Sequence, residues 1–404
     1  MEKINERTRA EVLFKFRWAS EIGEHEETYY CRINPWRDMD LFPPKMKTLL
    51  WEKTEGEKFT TSFKKGELIP FSEKNIIEVE KVQFLPQKPY RASLAPRLGR
   101  FYPLGFFIGL EGVFPENFKP ARVVGIQEKT LLIDTNVPIG AYDIELEVEV
   151  LSVTKKSADI GGECRDWCAI SLENGPGMQI RYNGLETDFE LENPESFTRQ
   201  DEGDDTDFYS EPRITTHIDS KCHENLMEVY DKILPKEGKI LDLMSSFQSH
   251  IPKNEKHTIV GLGLNKEEME QNKILDSFLI ADLNKNPQLP FGEEEFDAVV
   301  CDLSIEYITK PFELLGEIKR ILKSNGIFTV SFSNRYFPTK VIKLWIDLHE
   351  FERMGYVLEL LLRSGGFKNF KTFSMRGFRR PYDDKYFGCT LFSDPLYVVY
   401  AQKE

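Results

Sequence analysis

The chain has 404 residues, is 40% hydrophobic and 30% charged, and carries a formal net charge of -14 at pH 7. That length and apolar content exclude a disordered chain and a single ordinary core, so two domains are expected. The negative field disfavours general binding to nucleic acid or to anionic membrane surfaces.

Met1 to Arg9 is mostly polar and charged, without the apolar segment of a secretory signal. No later stretch approaches the roughly 18 uninterrupted apolar residues that span a bilayer, so a soluble, cytoplasmic protein is expected. Up to Val153 the pattern is β-rich. Leu132-Ile133 precede a turn, and Ile144, Leu146, Val148 and Val150 share one strand face opposite Glu145, Glu147 and Glu149. Between Pro86 and Pro120 the composition turns to proline, glycine and aromatics, which predicts an insertion or flap in place of a regular element. From Thr154 to Pro212 there is no sustained period. Gly175-Pro176-Gly177 and the acidic run from Asp201 to Asp207 predict a connector over 154–211.

Beyond it, strands alternate with helices. Apolar runs at 239–244, 257–264, 278–283 and 296–301 predict four strands. After Lys310, the stripe Phe312, Leu315, Ile318 and Leu322, joined by Leu314 and Ile321, predicts a helix stopped by Asn325-Gly326, with a fifth strand over 326–332. Such alternation predicts a mostly parallel sheet with helices on both faces, because each parallel connection needs a crossover. Cys31, Cys164, Cys168, Cys222, Cys301 and Cys389 are too sparse for a disulfide scaffold. Only Cys164 and Cys168 are close, with neither a second pair nor a nearby histidine, so no metal is expected. Arg376, Arg379 and Arg380 read as a solvated basic loop.

Open parallel sheets bind ligands outside the carboxyl ends of their strands. The residues there are Asp242-Leu-Met244-Ser245-Ser246, Gly261-Leu-Gly263-Leu264-Asn265, Asp282-Leu283-Asn284 and Cys301-Asp302-Leu-Ser304. Asp242 reads either as a ligand group or as a cap on local turn amides, and Asp302 and Ser304 either as substrate-facing groups or as helix caps. His250 reads as a base or as a turn residue. Tyr209, Arg213, His217 and Asp219 form a polar cluster before a helix. Asn334 and Arg335 follow the fifth strand, where a guanidinium suits a carboxylate.

The order of these parts over 212–404 resembles the class I S-adenosylmethionine methyltransferases. The likeness runs through Ile240-Leu-Asp-Leu243, Ile259-Val-Gly261, Asp282-Leu283 before Leu289-Pro-Phe291, Phe296-Asp-Ala-Val-Val300 and Ile321-Leu-Lys-Ser-Asn-Gly-Ile-Phe328. It is closest to a type-11-like group with an Asp-Leu-Met-Ser-Ser first loop and a segment like Ser331-Phe-Ser-Asn-Arg-Tyr-Phe-Pro-Thr-Lys340. The resemblance implies a Rossmann-like fold and S-adenosylmethionine as cofactor. Its site would comprise Asp242, Met244, Ser245, Ser246, Gly261, Gly263, Leu264, Asn265, Asp282, Leu283, Asp302 and Ser304, with Asp302, Tyr209 and Arg335 as catalytic candidates. Two departures stand out: Met244, Ser245 and Ser246 replace the glycines of the usual first loop, and Gly263 replaces the acidic residue that anchors ribose.

Residues 10–153 resemble the SlyD-like branch of the FKBP-type peptidyl-prolyl isomerases, in Leu132-Ile-Asp-Thr-Asn-Val-Pro-Ile-Gly-Ala141, Glu147-Val-Glu-Val-Leu-Ser-Val153 and Glu55-Gly-Glu-Lys-Phe59. This implies a β-rich α+β domain over 1–153 with a flap insert at about 86–120, exposing Phe101, Tyr102, Phe106 and Phe107 to a partner protein or peptide. Three readings follow: a methyltransferase acting on a protein, peptide or small-molecule acceptor presented by the FKBP-like domain; a chaperone or binding protein on a cofactor-free methyltransferase-like scaffold; or a proline isomerase.

Overall fold

The computed structural model describes residues 1–35, 40–86, 94–157 and 165–404; Cys164 lies outside them. The chain divides into two compact units, Met1–Phe189 and Glu190–Glu404, so the stretch expected as a connector is shared between them.

In the first unit, β1 (Thr8–Ala19) pairs antiparallel with β2 (Gly23–Ile33). A short β3 (Asp40–Leu41) and α1 (Pro44–Leu50) lead to β4 (Lys58–Phe63). Then come β5 (Ile76–Glu80), β6 (Phe101–Pro103), β7 (Pro120–Ile126), β8 (Thr130–Asp134) and β9 (Ile144–Lys155). β10 (Arg165–Asp166) pairs parallel with β3, and α2 (Trp167–Leu172) follows. The long strands run β2-β1-β9-β4. Alternation decides their inner face: Val12, Phe14 and Phe16 of β1 meet Leu146, Val148 and Val150 of β9, with Met46 and Leu50 of α1 against them. On the outer face Arg17 bridges Glu26, Glu145 and Glu147.

β5-β8-β7-β6 form a second, four-stranded sheet. It spans Ile76–Asp134, beyond the insert expected at about 86–120, and it corrects the expected exposure of Phe101, Tyr102, Phe106 and Phe107. These residues are buried, with exposures of 6%, 3%, 2% and 0%. Tyr102, Phe106 and Phe107 pack with Val79, Ala121, Val123, Leu131 and Ile133 as the sheet's own core. A sheet this small has few other large side chains with which to exclude water from one face, so its aromatics are drawn inward.

The second unit contains α3 (Asp205–Phe208), α4 (Ser220–Ile233), β11 (Gly238–Leu243), β12 (His257–Gly263), α5 (Lys266–Gln271) and β13 (Ser277–Ile280). It continues with β14 (Phe296–Asp302), α6 (Pro311–Ile321), β15 (Leu322–Phe332), α7 (Lys343–Ile346), α8 (Glu350–Ser364), β16 (Phe367–Arg376) and β17 (Leu396–Lys403). The order is β13-β12-β11-β14-β15-β17-β16. β11 to β15 run parallel, and β17 is antiparallel to both neighbours. In α4 the spacing of Cys222, Asn225, Leu226, Val229 and Tyr230 makes one buried stripe. α6 buries Leu314, Leu315, Ile318 and Ile321 as expected, but ends at Ile321, before Asn325, whose φ is 60°. The chain moves outward from β11 to β13 and returns at β14. The switch point therefore lies between Asp242 and Asp302.

Candidate active site

Asp242 is 3% exposed and receives the hydroxyls of Ser245 and Ser249 on the same Oδ2, at 2.6 and 2.5 Å. Burial pushes its pKa up to about 6 against the pull of those serines. Met244 takes a left-handed φ of 60°, turning the chain back so that the Ser245 amide donates to the Leu262 carbonyl at 2.8 Å. A Cβ on Gly263 would meet the Ser245 carbonyl oxygen at 2.1 Å. The first loop thus stands where an acidic side chain at 263 would begin, and its bulk and the glycine go together. A Cβ on Gly261 would meet the end of the Leu275 side chain at 2.6 Å, so this glycine lies close against that leucine.

Asn265 caps α5 by accepting from the Glu268 amide at 3.0 Å, while its Nδ2 donates to the carbonyls of Tyr209 and Ser210 at 2.9 and 3.2 Å. Glu268 accepts from the Ser246 hydroxyl at 2.6 Å and from the Arg213 amide at 2.7 Å. Asn272 donates to the Ser246 carbonyl and the Ser249 hydroxyl at 2.8 and 2.9 Å. Glu268, Asn272 and Ser249 thus belong to the site, although strand ends alone do not point to them. The Asn265-x-x-Glu268 spacing was their one legible signal, as a helix start. Leu264 is half-buried beside them.

Asp282 accepts from the Asn284 and Lys285 amides at 3.0 and 3.2 Å and opens on a groove of about 390 Å³ shared with Arg199, Asp205, Asn284 and Thr309. Leu283 is buried. Asp302 receives the Tyr230 hydroxyl and, at 2.6 Å, the Ser331 hydroxyl on Oδ1; its Oδ2 is buried without a partner. Burial, with the charge of Asp242 added, pushes its pKa up to about 7. Ser304 donates to the Asp302 carbonyl at 2.8 Å. Glu306, 1% exposed with neither carboxylate oxygen partnered, is likewise raised to about 7 by burial.

These three acids bind their protons more tightly folded than unfolded. Their contribution to stability is therefore present below the ordinary carboxylate range and lost as pH rises through it to about 7. Asp302→Asn is accordingly expected to raise Tm over the wild type more at pH 8 than at pH 4.5, by several degrees for about 2 kcal/mol. Thermal melts at the two pH values check this, and equal differences would contradict it.

The remaining candidates separate. Tyr209 and Arg213 stay at the ligand edge, where the Tyr209 ring lies 4.8 Å from Phe208 and burial raises its hydroxyl pKa. Arg335, expected to await a carboxylate, is engaged by Asp394 at 2.8 Å and Asp384 at 3.1 Å. Arg380, expected as part of a solvated loop, is 8% exposed and pairs with Asp394 at 2.8 Å and Asp219 at 3.3 Å. Asp219 caps α4 and is the hub of this network. His250 pairs with His223, Nδ1 to Nδ1, at 2.6 Å, and burial lowers its pKa to about 3. Asn334 accepts from the Ser333 hydroxyl at 3.3 Å. Among the described residues, no group of three or more His, Cys, Asp or Glu is arranged to hold a metal, and no helix is long and apolar enough to cross a membrane.

Residues 246–330 match the family described as Methyltransferase domain. No curated protein matches the chain. Similar solved structures include a SAM-dependent methyltransferase from Thermotoga maritima, 17% identical, covering 45% of this chain and 89% of its own at a TM-score of 0.34. Others are a TehB-like SAM-dependent methyltransferase from Corynebacterium glutamicum (17%, 44% and 87%, 0.30) and an S-adenosylmethionine-dependent methyltransferase from Mesorhizobium loti (16%, 44% and 96%, 0.29). The family match supports S-adenosylmethionine as the cofactor. Of the polar groups at this edge, Asp282 lies beside an open groove and Arg213 carries an uncommitted guanidinium nitrogen, whereas Asn265 and Glu268 are engaged by neighbouring backbone and side-chain groups. The strand order, the switch-point acids and the matched segment together make the second unit a methyltransferase-type domain of the S-adenosylmethionine-dependent kind.

Proposed function

We propose that the second unit transfers a methyl group to a nucleophile, with Asp302 receiving the proton that the nucleophile gives up. The observation that carries this is the Asp302 carboxyl, held on one oxygen by Tyr230 and Ser331 while the other is buried and uncommitted at the switch point. When bound, S-adenosylmethionine supplies an electrophilic methyl group. The chain's part is to orient both partners and exclude water. With its pKa near 7, Asp302 is a better proton acceptor than an ordinary carboxylate.

Calorimetric titration of the full chain with S-adenosylmethionine and S-adenosylhomocysteine is the test. Binding of both is expected, with Asp302→Asn keeping the affinity and losing transfer by about 100-fold. In the wild type the rate should fall below about pH 7 as Asp302 protonates. No heat from either ligand would sink the enzyme reading. It would favour the cofactor-free binding protein, whose supporting observation is the Ser245 carbonyl packed against Gly263.

For the first unit we read an FKBP-like domain that docks a protein or peptide. Its support is a cavity of about 360 Å³ in which Leu41, Phe42, Leu68, Ile69, Pro70 and Val137 share the lining with Asn75, Thr135, Asn136, Asp166 and Glu173, so apolar side chains and hydrogen-bonding groups converge on one site as peptide docking requires. A proline-containing peptide is expected to bind the full chain, with Val137→Asp weakening it about tenfold by charging the wall. Fluorescence anisotropy measures this, and unchanged binding would exclude the cavity. A proline-isomerisation assay on the same sample decides whether docking leads to turnover.

A further inference from the structure

Arg213 differs from the other arginines around it. Arg199, Arg335 and Arg380 of the same unit each lie against an aspartate, at 2.8 to 3.3 Å. The Arg213 guanidinium has no carboxylate partner among the described residues. It is held instead by aromatic faces, 4.6 Å from the Phe208 ring, 5.2 Å from Phe337 and 5.3 Å from Tyr209. Its Nη2 donates to the Phe208 carbonyl at 2.9 Å, and its Nη1 is buried with no acceptor. The nearby Glu268 is committed to the Arg213 amide and the Ser246 hydroxyl, and Asp205 is paired with Arg199 and Lys340. That amide contact pins the residue beside α5, just past β12, and Phe337 follows β15, so the guanidinium sits over the ligand edge of the sheet.

A buried, oriented donor on a cation without a counter-ion calls for an acceptor from outside. We propose that Arg213 anchors a carboxylate-binding site at this edge, taking a ligand whose carboxylate adjoins an apolar or aromatic body. The aromatic rings hold the guanidinium plane in place and exclude water from its faces, leaving Nη1 as the free tine of the fork. His217, whose ring lies 6.0 Å from Phe337, has its pKa lowered chiefly by burial; Glu268 opposes this, and Arg213, Lys385 and Arg335 add to it. The carboxylate belongs either to the amino-acid end of S-adenosylmethionine, which rests on the methyltransferase reading, or to the methyl acceptor.

The full chain and its Arg213→Met and Arg213→Lys variants are titrated calorimetrically with S-adenosylhomocysteine and with methylthioadenosine, which keeps the nucleoside and lacks the carboxylate. Their melting is also followed with phenylacetate and with its neutral counterpart, phenethyl alcohol. If the carboxylate is the cofactor's, Arg213→Met weakens S-adenosylhomocysteine by about thirtyfold and leaves methylthioadenosine nearly unchanged. If it is the acceptor's, S-adenosylhomocysteine binds both variants as it binds the wild type, while phenylacetate stabilises only the wild type. Arg213→Lys keeps a cation for the rings and so controls for misfolding. It should melt close to the wild type yet lose most of the carboxylate preference, since an ammonium lacks the planar group that the rings orient and does not place a donor where Nη1 lies. The proposal is overturned if both variants bind S-adenosylhomocysteine like the wild type and phenylacetate stabilises the wild type no more than phenethyl alcohol does. A wild type that binds neither nucleoside refutes the methyltransferase reading and leaves the phenylacetate arm to decide this one.

Discussion

Gly263→Asp, the substitution that would return an acidic residue to the end of β12, is expected to destabilise the second unit by about 3 kcal/mol or more and to create no ribose site. The added Cβ falls 2.1 Å from the Ser245 carbonyl oxygen and 3.1 Å from the Met269 sulfur. Backbone on one side and a packed thioether on the other leave little room to yield. Relief requires the first loop to lift, which breaks the bond from the Ser245 amide to Leu262 and takes the Ser245 and Ser249 hydroxyls off Asp242. Gly263→Ala, with the same Cβ and no charge, should reproduce most of the loss. For a unit of this size the drop in Tm is roughly 6–12 °C, with new proteolytic cleavage within 244–250. Melting of either variant within a degree or two of the wild type would show that the first loop lifts freely and that the edge opens without cost.

Asp219→Ala is expected to cost about 3–5 kcal/mol, the largest effect of any single side chain considered. Asp219 Oδ1 accepts from the Cys222 amide and the Ser393 hydroxyl at 2.9 and 2.8 Å, and Oδ2 from the Asp394 amide at 2.7 Å and Arg380 at 3.3 Å. The side chain is fully buried. Removing it takes the cap from α4, orphans donors in the segment before β17 and removes one of the aspartates that balance Arg335 and Arg380. Asp219→Asn keeps the shape but turns a donor toward Arg380, so it should recover only a minor part of the loss. Denaturant unfolding measures the cost, and hydrogen exchange over 377–395 should show that segment loosening first. A loss under about 1 kcal/mol would mean that Asp384 and Asp394 suffice to neutralise the two arginines.

In the second unit β11 to β15 were legible as short apolar runs, because strands buried on both faces, as β11, β12 and β14 are, need no alternation, and α6 as a stripe of period 3.6; α5, α7, α8, β16 and β17 were not read from the sequence. β9 was legible too, its glutamates facing outward as alternation requires. The aromatics of the first unit show where that reasoning stops. A run such as Phe101-Tyr102 followed by Phe106-Phe107 has no period, and only the sheet Ile76–Asp134 closing around it makes it core. Arginines were similarly ambiguous. Nothing local tells Arg335 and Arg380, neutralised by aspartates up to 161 residues away, from Arg213, which has none among the described residues. Sequence by itself determined which residues stand at the strand ends, because backbone periodicity is a local property. Which of them are committed to neighbours and which remain available to a ligand was decided only by tertiary structure, since hydrogen-bond partners and desolvation come from residues distant along the chain.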